Sequence, residues 1–274
     1  MLGRSVVRML RESGASDITA LTHADLDIGD LDSLLSTLHE IHPSVVYNCA
    51  AMTAVDACET EFDRATRVNA LAPGAMAGWC RDQGARLVHV STDYVFNGQA
   101  TSPIREDSAL DPINAYGRSK LAGEEAVLAA GGGALIIRTA WVYSQDGKNF
   151  LRFVLDRMEK GEEVPVITDQ TGSPTYAWDI ALAISRLLES GAGGIFHVVN
   201  TGACTWWDFA SHLAACAGLE GPMRPIVSAD LNRPAPRPSY SVLDTSRFAE
   251  TTGSPMRSWQ EAARFCVEQW RALK

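Results

Sequence analysis

Arg86-Leu87-Val88-His89-Val90-Ser91-Thr92-Asp93, read with Tyr116-Gly117-Arg118-Ser119-Lys120 further on, is the stretch on which the fold turns. Its first part is a short run rich in β-branched residues that ends in small polar ones. Such a run suits a strand buried in a parallel sheet. It would deliver Ser91, Thr92 and Asp93 to the carboxyl edge, where open α/β sheets take their ligands. In the second part Tyr116 and Lys120 stand four residues apart, which puts both on one face of a helix. A free phenol titrates near ~10, and a fixed positive charge beside it favours the phenolate. The spacing therefore predicts a Tyr116 of lowered pKa that passes a proton to a substrate near neutral pH. Tyr and Lys at this distance also occur by chance on many solvated helices, and it is the strand upstream that gives them a site in which to act.

Strand and helix patterns alternate outward from this point. Asp17 to Thr22 reads as a strand, and Leu31, Leu34, Leu35 and Leu38 recur at helical spacing until Pro43. Ser44 to Asn48 is the next strand, and a helix through Asn69 to Asp82 stops at Gly84. The Tyr116 helix runs to Gly131-Gly132-Gly133, ahead of a strand from Ala134 to Thr139. The predicted class is α/β, a doubly wound parallel sheet of Rossmann type, with residues 1–145 as the dinucleotide-binding part. Residues 146–274 form mainly a smaller substrate-binding part, some of whose segments return to the sheet. Its landmarks are a loop over Val164 to Tyr176, a helix from Ala177, a strand from Gly194 to Asn200 and a Pro-rich loop from Asn232 to Tyr240. Ser258 and Glu261 stand in capping-box relation before a last helix, Ala262 to Leu273.

A dinucleotide fold opens with a strand, a glycine-rich turn and a helix whose first amides hold the pyrophosphate. Here Met1-Leu2-Gly3-Arg4 reads as the end of that turn, and the residues up to Gly14 read as its helix, so the sheet is expected to lack its first strand. The expectation is a natural start about ten residues upstream, one strand of ~5 to 6 residues plus a turn.

Composition narrows the class. An apolar content of 46% over 274 residues builds a substantial core, and a net charge of −9 disfavours nucleic acid or an anionic membrane as partner. The cysteines Cys49, Cys58, Cys80, Cys204, Cys216 and Cys266 form no C-x-x-C and sit in apolar or helical contexts, the pattern of reduced thiols in a cytoplasmic protein. No apolar run reaches the ~20 residues of a membrane span. His39 and His42 have no third ligand at suitable spacing and read as surface residues, so no metal is assigned. Asn69 reads as structural.

The motifs NCAAMTAVDACE (48–59), RVNALAPG (67–74), RLVHVSTDYVFNG (86–98), SPIREDSALDPINAYGRSKLAGE (102–124), RTAWVY (138–143), DQTGSPTYAWDIA (169–181) and RPAPRPSYSVLDTSRF (233–248) together resemble the extended short-chain dehydrogenase/reductase superfamily. Within it the chain is similar, nearly end to end, to the dTDP-4-dehydrorhamnose reductase family. The resemblance implies reduction of the 4-keto group of a dTDP-linked deoxysugar with NADPH or NADH. It implies Tyr116 as the acid, Lys120 as its assistant and a ligand of the nicotinamide ribose, and Thr92 as a hydrogen-bond partner of the reacting oxygen. Asp93 would seat the sugar and Trp141 would wall the pocket. Gly3, Asp27, Ile28, Ala50, Ala51, Met52 and Thr53 would contact the cofactor. Arg233 and Arg237, stiffened by Pro234, Pro236 and Pro238, could meet the diphosphate. Thr22 and His23 stand where an acid would select NAD, which tilts the cofactor toward NADPH. The motifs assign no role to Mg2+ and leave room for a homodimer.

Two rival readings share these motifs. A nucleotide-sugar epimerase or dehydratase uses the same Tyr and Lys; by resemblance a dehydratase carries an acid after Thr-Asp, where this chain has Tyr94. A binding subunit, similar to the regulatory subunit of methionine adenosyltransferase, would keep the fold without serving mainly as a reductase.

Overall fold

The computed structural model describes residues 1–273. Helix α1 (Leu2–Glu12) opens the described chain, with no strand before it. The Asp17–Thr22 run expected as a strand forms no ladder and is almost wholly exposed. β-Propensity alone does not make a strand, because its N–H and C=O groups need partners alongside and none is present among the described residues. Thr22 instead starts a turn, its N and Oγ1 donating to Asp25 Oδ2 at 2.8 and 2.7 Å. Helix α2 (Leu31–Ile41) follows, capped by Asp30 and closed by a left-handed His42.

Strand β1 (Val45–Asn48) leads through α3 (Val55–Thr60) and α4 (Phe62–Thr66) into a π-helical turn, Arg67–Leu71, continuous with α5 (Ala72–Gln83). Strand β2 (Arg86–Thr92), helix α6 (Ala115–Ala130) and strand β3 (Leu135–Thr139) fall where the apolar runs predict them. The second half carries β4 (Val142–Tyr143), α7 (Phe150–Glu159) and β5 (Val164–Ile167), then the two-residue strands β6 (Thr171–Gly172) and β7 (Thr175–Tyr176). Helix α8 (Ala177–Glu189), strand β8 (Gly194–His197), β9 (Cys204–Thr205), α9 (Trp206–Ala217) and β10 (Met223–Ile226) continue the chain. It ends in α10 (Ser246–Thr252) and α11 (Trp259–Ala272), the latter held by the expected Ser258/Glu261 capping box.

The main sheet runs β1-β2-β3-β8, all parallel, so β8 returns from the second half of the sequence. One face is covered by α1 and α8 through Val6, Met9, Ile180 and Ile184, the other by α2, α5 and α6 through Leu38, Met76, Trp79 and Val127. A separate core lies in the second half, where α7, α9 and α11 pack Leu151, Val154, Phe209, Leu213 and Val267 beside the parallel pair β5–β10. The segment expected as a loop over Val164 to Tyr176 therefore holds three short strands, each paired with residues distant in sequence. No helix among the described residues is long and apolar enough to cross a membrane.

Helix α6 approaches its neighbours more closely than a side chain allows. A Cβ at Gly117 would fall on the Tyr94 carbonyl oxygen, and one at Gly123 on the Asn69 carbonyl oxygen of the π turn. Gly123→Ala should therefore cost at least about 2 kcal/mol by overpacking. Gly78→Ala, in α5 with nothing within 4 Å of the new methyl, should be neutral or stabilising by about 0.5 to 1 kcal/mol. Denaturant midpoints of the two variants check this, and equal effects would contradict the close approach.

Candidate active site

The carboxyl ends of the parallel strands carry the polar residues singled out above, because the register pairs Thr92 with Thr139 and Arg138 with His197. Thr92 is buried; its Oγ1 donates to Asp93 Oδ1 at 2.9 Å and accepts from Tyr94 N at 3.2 Å. Asp93 is 2% exposed, and its second oxygen, Oδ2, has no hydrogen-bond partner among the described residues. Burial pushes its carboxyl up to about 6, against the contrary pull of Ser241 and Thr92. Thr139 Oγ1, at the neighbouring strand end, is a second buried oxygen without a partner. Two unpartnered buried oxygens at one sheet edge suit a polar ligand.

Helix α6 is started by Asn114, whose Oδ1 accepts from Gly117 N at 2.8 Å while Glu59 Oε1 accepts from Ala115 N at 2.8 Å. From that start, Tyr116 and Lys120 both face β2, as the spacing predicts. The Tyr116 phenol is not lowered as predicted. Burial dominates Tyr116 and raises its phenol above the ordinary value, the nearby charges of Asp93 and Tyr94 add to this, and the side-chain contact with Thr92 works against it. Lys120 is turned into β2, where Nζ donates to Val90 O at 2.7 Å and lies 3.4 Å from His89 Nε2. A shared helical face sets the direction of two side chains, and the better acceptor decides where the longer one ends. Burial lowers Lys120 to about 8, with Glu124 and Cys49 pulling upward.

A buried network fixes the sheet beneath α6. Arg138 and Glu124, 0% and 1% exposed, form a bidentate pair with bonds of 2.6 and 2.9 Å, and Ser91 Oγ donates to Glu124 Oε1. Asn69 is structural, as read: Oδ1 accepts from Met52 N at 2.8 Å, and Nδ2 donates to Met52 O and to Ser119 Oγ at 2.9 Å. It thereby ties the loop after β1 to α6. That loop places Ala50, Ala51, Met52 and Thr53 at or near the surface, and Gly3 of α1 abuts it, with a Cβ there 3.7 Å from that of Cys49. Asp27 lines an open hollow of about 610 Å³ together with Gly29, Asp30, Arg64, Arg67 and Val68. Ile28 is partly buried and packs against the core of α2 and α5. The loop after β1 and the N-terminus of α1 meet through small residues.

Trp141 holds a left-handed backbone, φ 46, uncommon for a bulky residue. Its indole stacks on Trp206 at 3.6 Å between ring centroids, and Phe150 lies 4.4 Å from Trp206. A Cβ on Gly172 would fall 2.5 Å from the Trp141 ring, so only glycine leaves room for this stack. Trp206, Phe150 and Gln170, which accepts from Trp206 Nε1 at 3.1 Å, escaped the sequence reading. Tryptophans 65 residues apart carry no local signal.

The two arginines of the Pro-rich loop differ. Arg237 is joined to Asp56 by bonds of 2.5 and 2.8 Å, holding that carboxyl down at about 2, and is largely committed. Arg233 is exposed and makes no hydrogen bond or ion pair among the described residues. Asn114 Nδ2 donates to Pro236 O at 2.8 Å, so the residue that starts α6 also anchors this loop. The six cysteines are free, and burial raises each thiol. His39 and His42 stand edge-on against Trp79 at 5.9 Å.

Comparison with known proteins places this geometry. A family model described as the RmlD substrate binding domain matches residues 1–272. A dTDP-4-dehydrorhamnose reductase of Streptomyces griseus is 42% identical over 96% of this chain and 88% of its own. A probable dTDP-4,6-dihydroxy-2-methyloxan-3-one 4-ketoreductase of Streptomyces antibioticus is also 42% identical, over 96% and 90%. The crystal structure of a dTDP-4-dehydrorhamnose reductase from Bacillus anthracis in complex with NADP superposes with a TM-score of 0.92 at 33% identity, covering 100% of this chain and 95% of that one.

Asp93 provides a test of the site's electrostatics. Its folded pKa, about 6, lies above the unfolded value, so its favourable contribution is full below about pH 4 and is lost as pH rises through 6. At pH 8 the buried carboxylate should cost on the order of 1 to 3 kcal/mol. Asp93→Asn should recover that in denaturant unfolding at pH 8, with the gain shrinking as pH falls toward 4. A gain independent of pH would contradict the assignment.

Proposed function

Because the chain belongs to the family of the RmlD substrate binding domain, we propose that it reduces the 4-keto group of dTDP-4-dehydro-L-rhamnose to dTDP-L-rhamnose, with NADPH as preferred cofactor and NADH as the alternative. The product is a precursor of cell-surface polysaccharide, and with free thiols throughout, the cytoplasm is the compartment we assign. The observation that carries the reading is the cluster of Thr92, Asp93, Tyr116 and Lys120 at the carboxyl edge of the parallel sheet, beside a surface loop of small residues. Residues of the loop after β1, Gly3 and the Asp27–Ile28 hollow would hold the dinucleotide.

A reduced nicotinamide, when bound, would supply the hydride for C4 of the sugar. The residues of the chain supply the rest. As the C4=O π bond opens, its electron pair moves onto oxygen and takes the proton of Tyr116 Oη, with Thr92 beside it to orient the oxygen. An alkoxide is a far stronger base than a phenolate, so a phenol raised by burial still donates to it and keeps its proton until then. The ammonium form of Lys120 supports the phenolate left behind. Asp93 Oδ2, buried and unpartnered, is the acceptor we assign to a sugar hydroxyl. Trp141 and Trp206 form the apolar wall. Arg233 is the better diphosphate ligand, because Asp56 already neutralises Arg237.

Tyr94 separates this reading from elimination chemistry. It follows Thr92-Asp93 directly and stands edge-on to Tyr116 at 5.6 Å, with its own phenol raised by burial. That favours reduction over loss of water, which needs a carboxylate there.

Tyr116→Phe removes a proton donor and little volume, so kcat should fall about 10²- to 10⁴-fold with NADPH affinity held within about twofold. Steady-state assay and cofactor titration check this, and near-parental turnover would move the acid to another residue. Arg233→Ala should raise the KM for the dTDP-sugar about tenfold at little cost in kcat, whereas an unchanged KM would remove Arg233 from the diphosphate site.

A further inference from the structure

A line of buried polar groups lies beneath Lys120, and the reduction as derived does not use it. Asn48 ends β1, and its Oδ1 accepts from Ala50 N at 3.2 Å. That bond fixes the amide, leaving Nδ2 3.2 Å from His89 Nδ1. An amide nitrogen only donates, so Nδ1 must carry the lone pair. His89 is 0% exposed, and burial holds its pKa well below the usual imidazole range, with the charge of Lys120 acting in the same direction. A neutral imidazole that accepts at Nδ1 carries its proton on Nε2, and Nε2 stands 3.4 Å from Lys120 Nζ. Two N–H groups repel at that position, whereas an N–H meeting an amine lone pair is attractive. Lys120 can accept there as an amine while still donating to Val90 O.

We propose that Asn48 and His89 are positioning residues for Lys120: the Asn48 amide selects the Nε2–H tautomer of His89, and that N–H holds the lysine nitrogen against β2 in its uncharged form. The other groups facing Lys120 do not supply this. Cys49, from the loop after β1, is a thiol raised to about 12 by burial, and Glu124, one turn along α6, is committed to Arg138 of β3. The lowered pKa of Lys120, about 8, agrees with a setting that disfavours the ammonium. For turnover the consequence is that the charged fraction of Lys120, which supports the Tyr116 phenolate, depends on a histidine that touches neither sugar nor cofactor. This consequence rests on the reductase reading; the tautomer does not.

The test has two arms. In the wild-type chain with 15N-labelled histidine, the His89 ring should remain the neutral Nε2–H tautomer from about pH 6.5 to about pH 9. An Nδ1–H tautomer, or titration across that range, overturns the proposal whether or not the protein reduces sugars. In the second arm kcat is followed against pH. His89→Leu removes the N–H. Asn48→Asp accepts from Nδ1–H and turns Nε2 into an acceptor. Both should move the basic limb up by about 0.5 to 1 pH unit, and His89→Gln, which restores a donor, should bring it back toward the parent. A basic limb that stays put in both, whatever happens to its height, reduces the pair to packing and overturns the proposal. Should the variants fail to fold, the tautomer measured in the wild-type chain decides alone.

Discussion

The contact between helix α6 and the carboxyl end of β2 sets the rest of the molecule. Gly117 and Gly123 let the helix backbone rest on the carbonyls of Tyr94 and Asn69. At that separation Lys120 reaches Val90 O and Tyr116 comes beside Thr92. The buried Arg138–Glu124 pair, with Ser91, pins the same helix to β2 and β3 from below. Breaking such a pair from one side leaves a buried charge uncompensated and is strongly destabilising. Asn114 and Asn69 extend the arrangement outward, one to the Pro-rich loop and the other to the loop after β1.

Desolvation runs through the site in both directions of charge. It raises the Asp93 carboxyl to about 6, lowers the Lys120 ammonium to about 8 and raises the Tyr116 phenol. Each group is thereby moved toward its neutral form. Both protonation states of Asp93 and Lys120 thereby come within reach near neutral pH, and a dry site keeps its response for charge that develops during reaction. Asp93 Oδ2 and Thr139 Oγ1 stand buried and without partners at the strand ends. In the reading proposed above, a bound ligand would complete both.

Much of this was legible in the sequence, and the failures have physical reasons. Apolar runs found β2 and β3 because a buried parallel strand needs little beyond its own residues and two neighbours. The same logic misread Asp17–Thr22, which has the composition of a strand and no ladder beside it. The strands β5, β6 and β7 were hidden in an apparent loop, since their partners lie far along the chain. Spacing gave the common face of Tyr116 and Lys120, but the reach of a four-carbon side chain toward Val90 and His89 is decided by tertiary packing. Likewise Arg237 was read beside Arg233 as a diphosphate ligand, and its ion pair with Asp56, 181 residues away, gave no local signal. Trp141 was named through resemblance as a pocket wall, while its stacking partner Trp206 carried no signal.

Hydride delivery to a carbonyl carbon, with the proton coming from Tyr116, is the central claim, and isotope transfer tests it most directly. NADPH deuterated at the reduced C4 of nicotinamide is incubated with the purified chain and dTDP-4-dehydro-L-rhamnose, and the sugar product and oxidised cofactor are measured together. The account predicts one deuterium at C4 of dTDP-L-rhamnose for each cofactor oxidised. A converted sugar without deuterium, beside an unchanged cofactor, would contradict it.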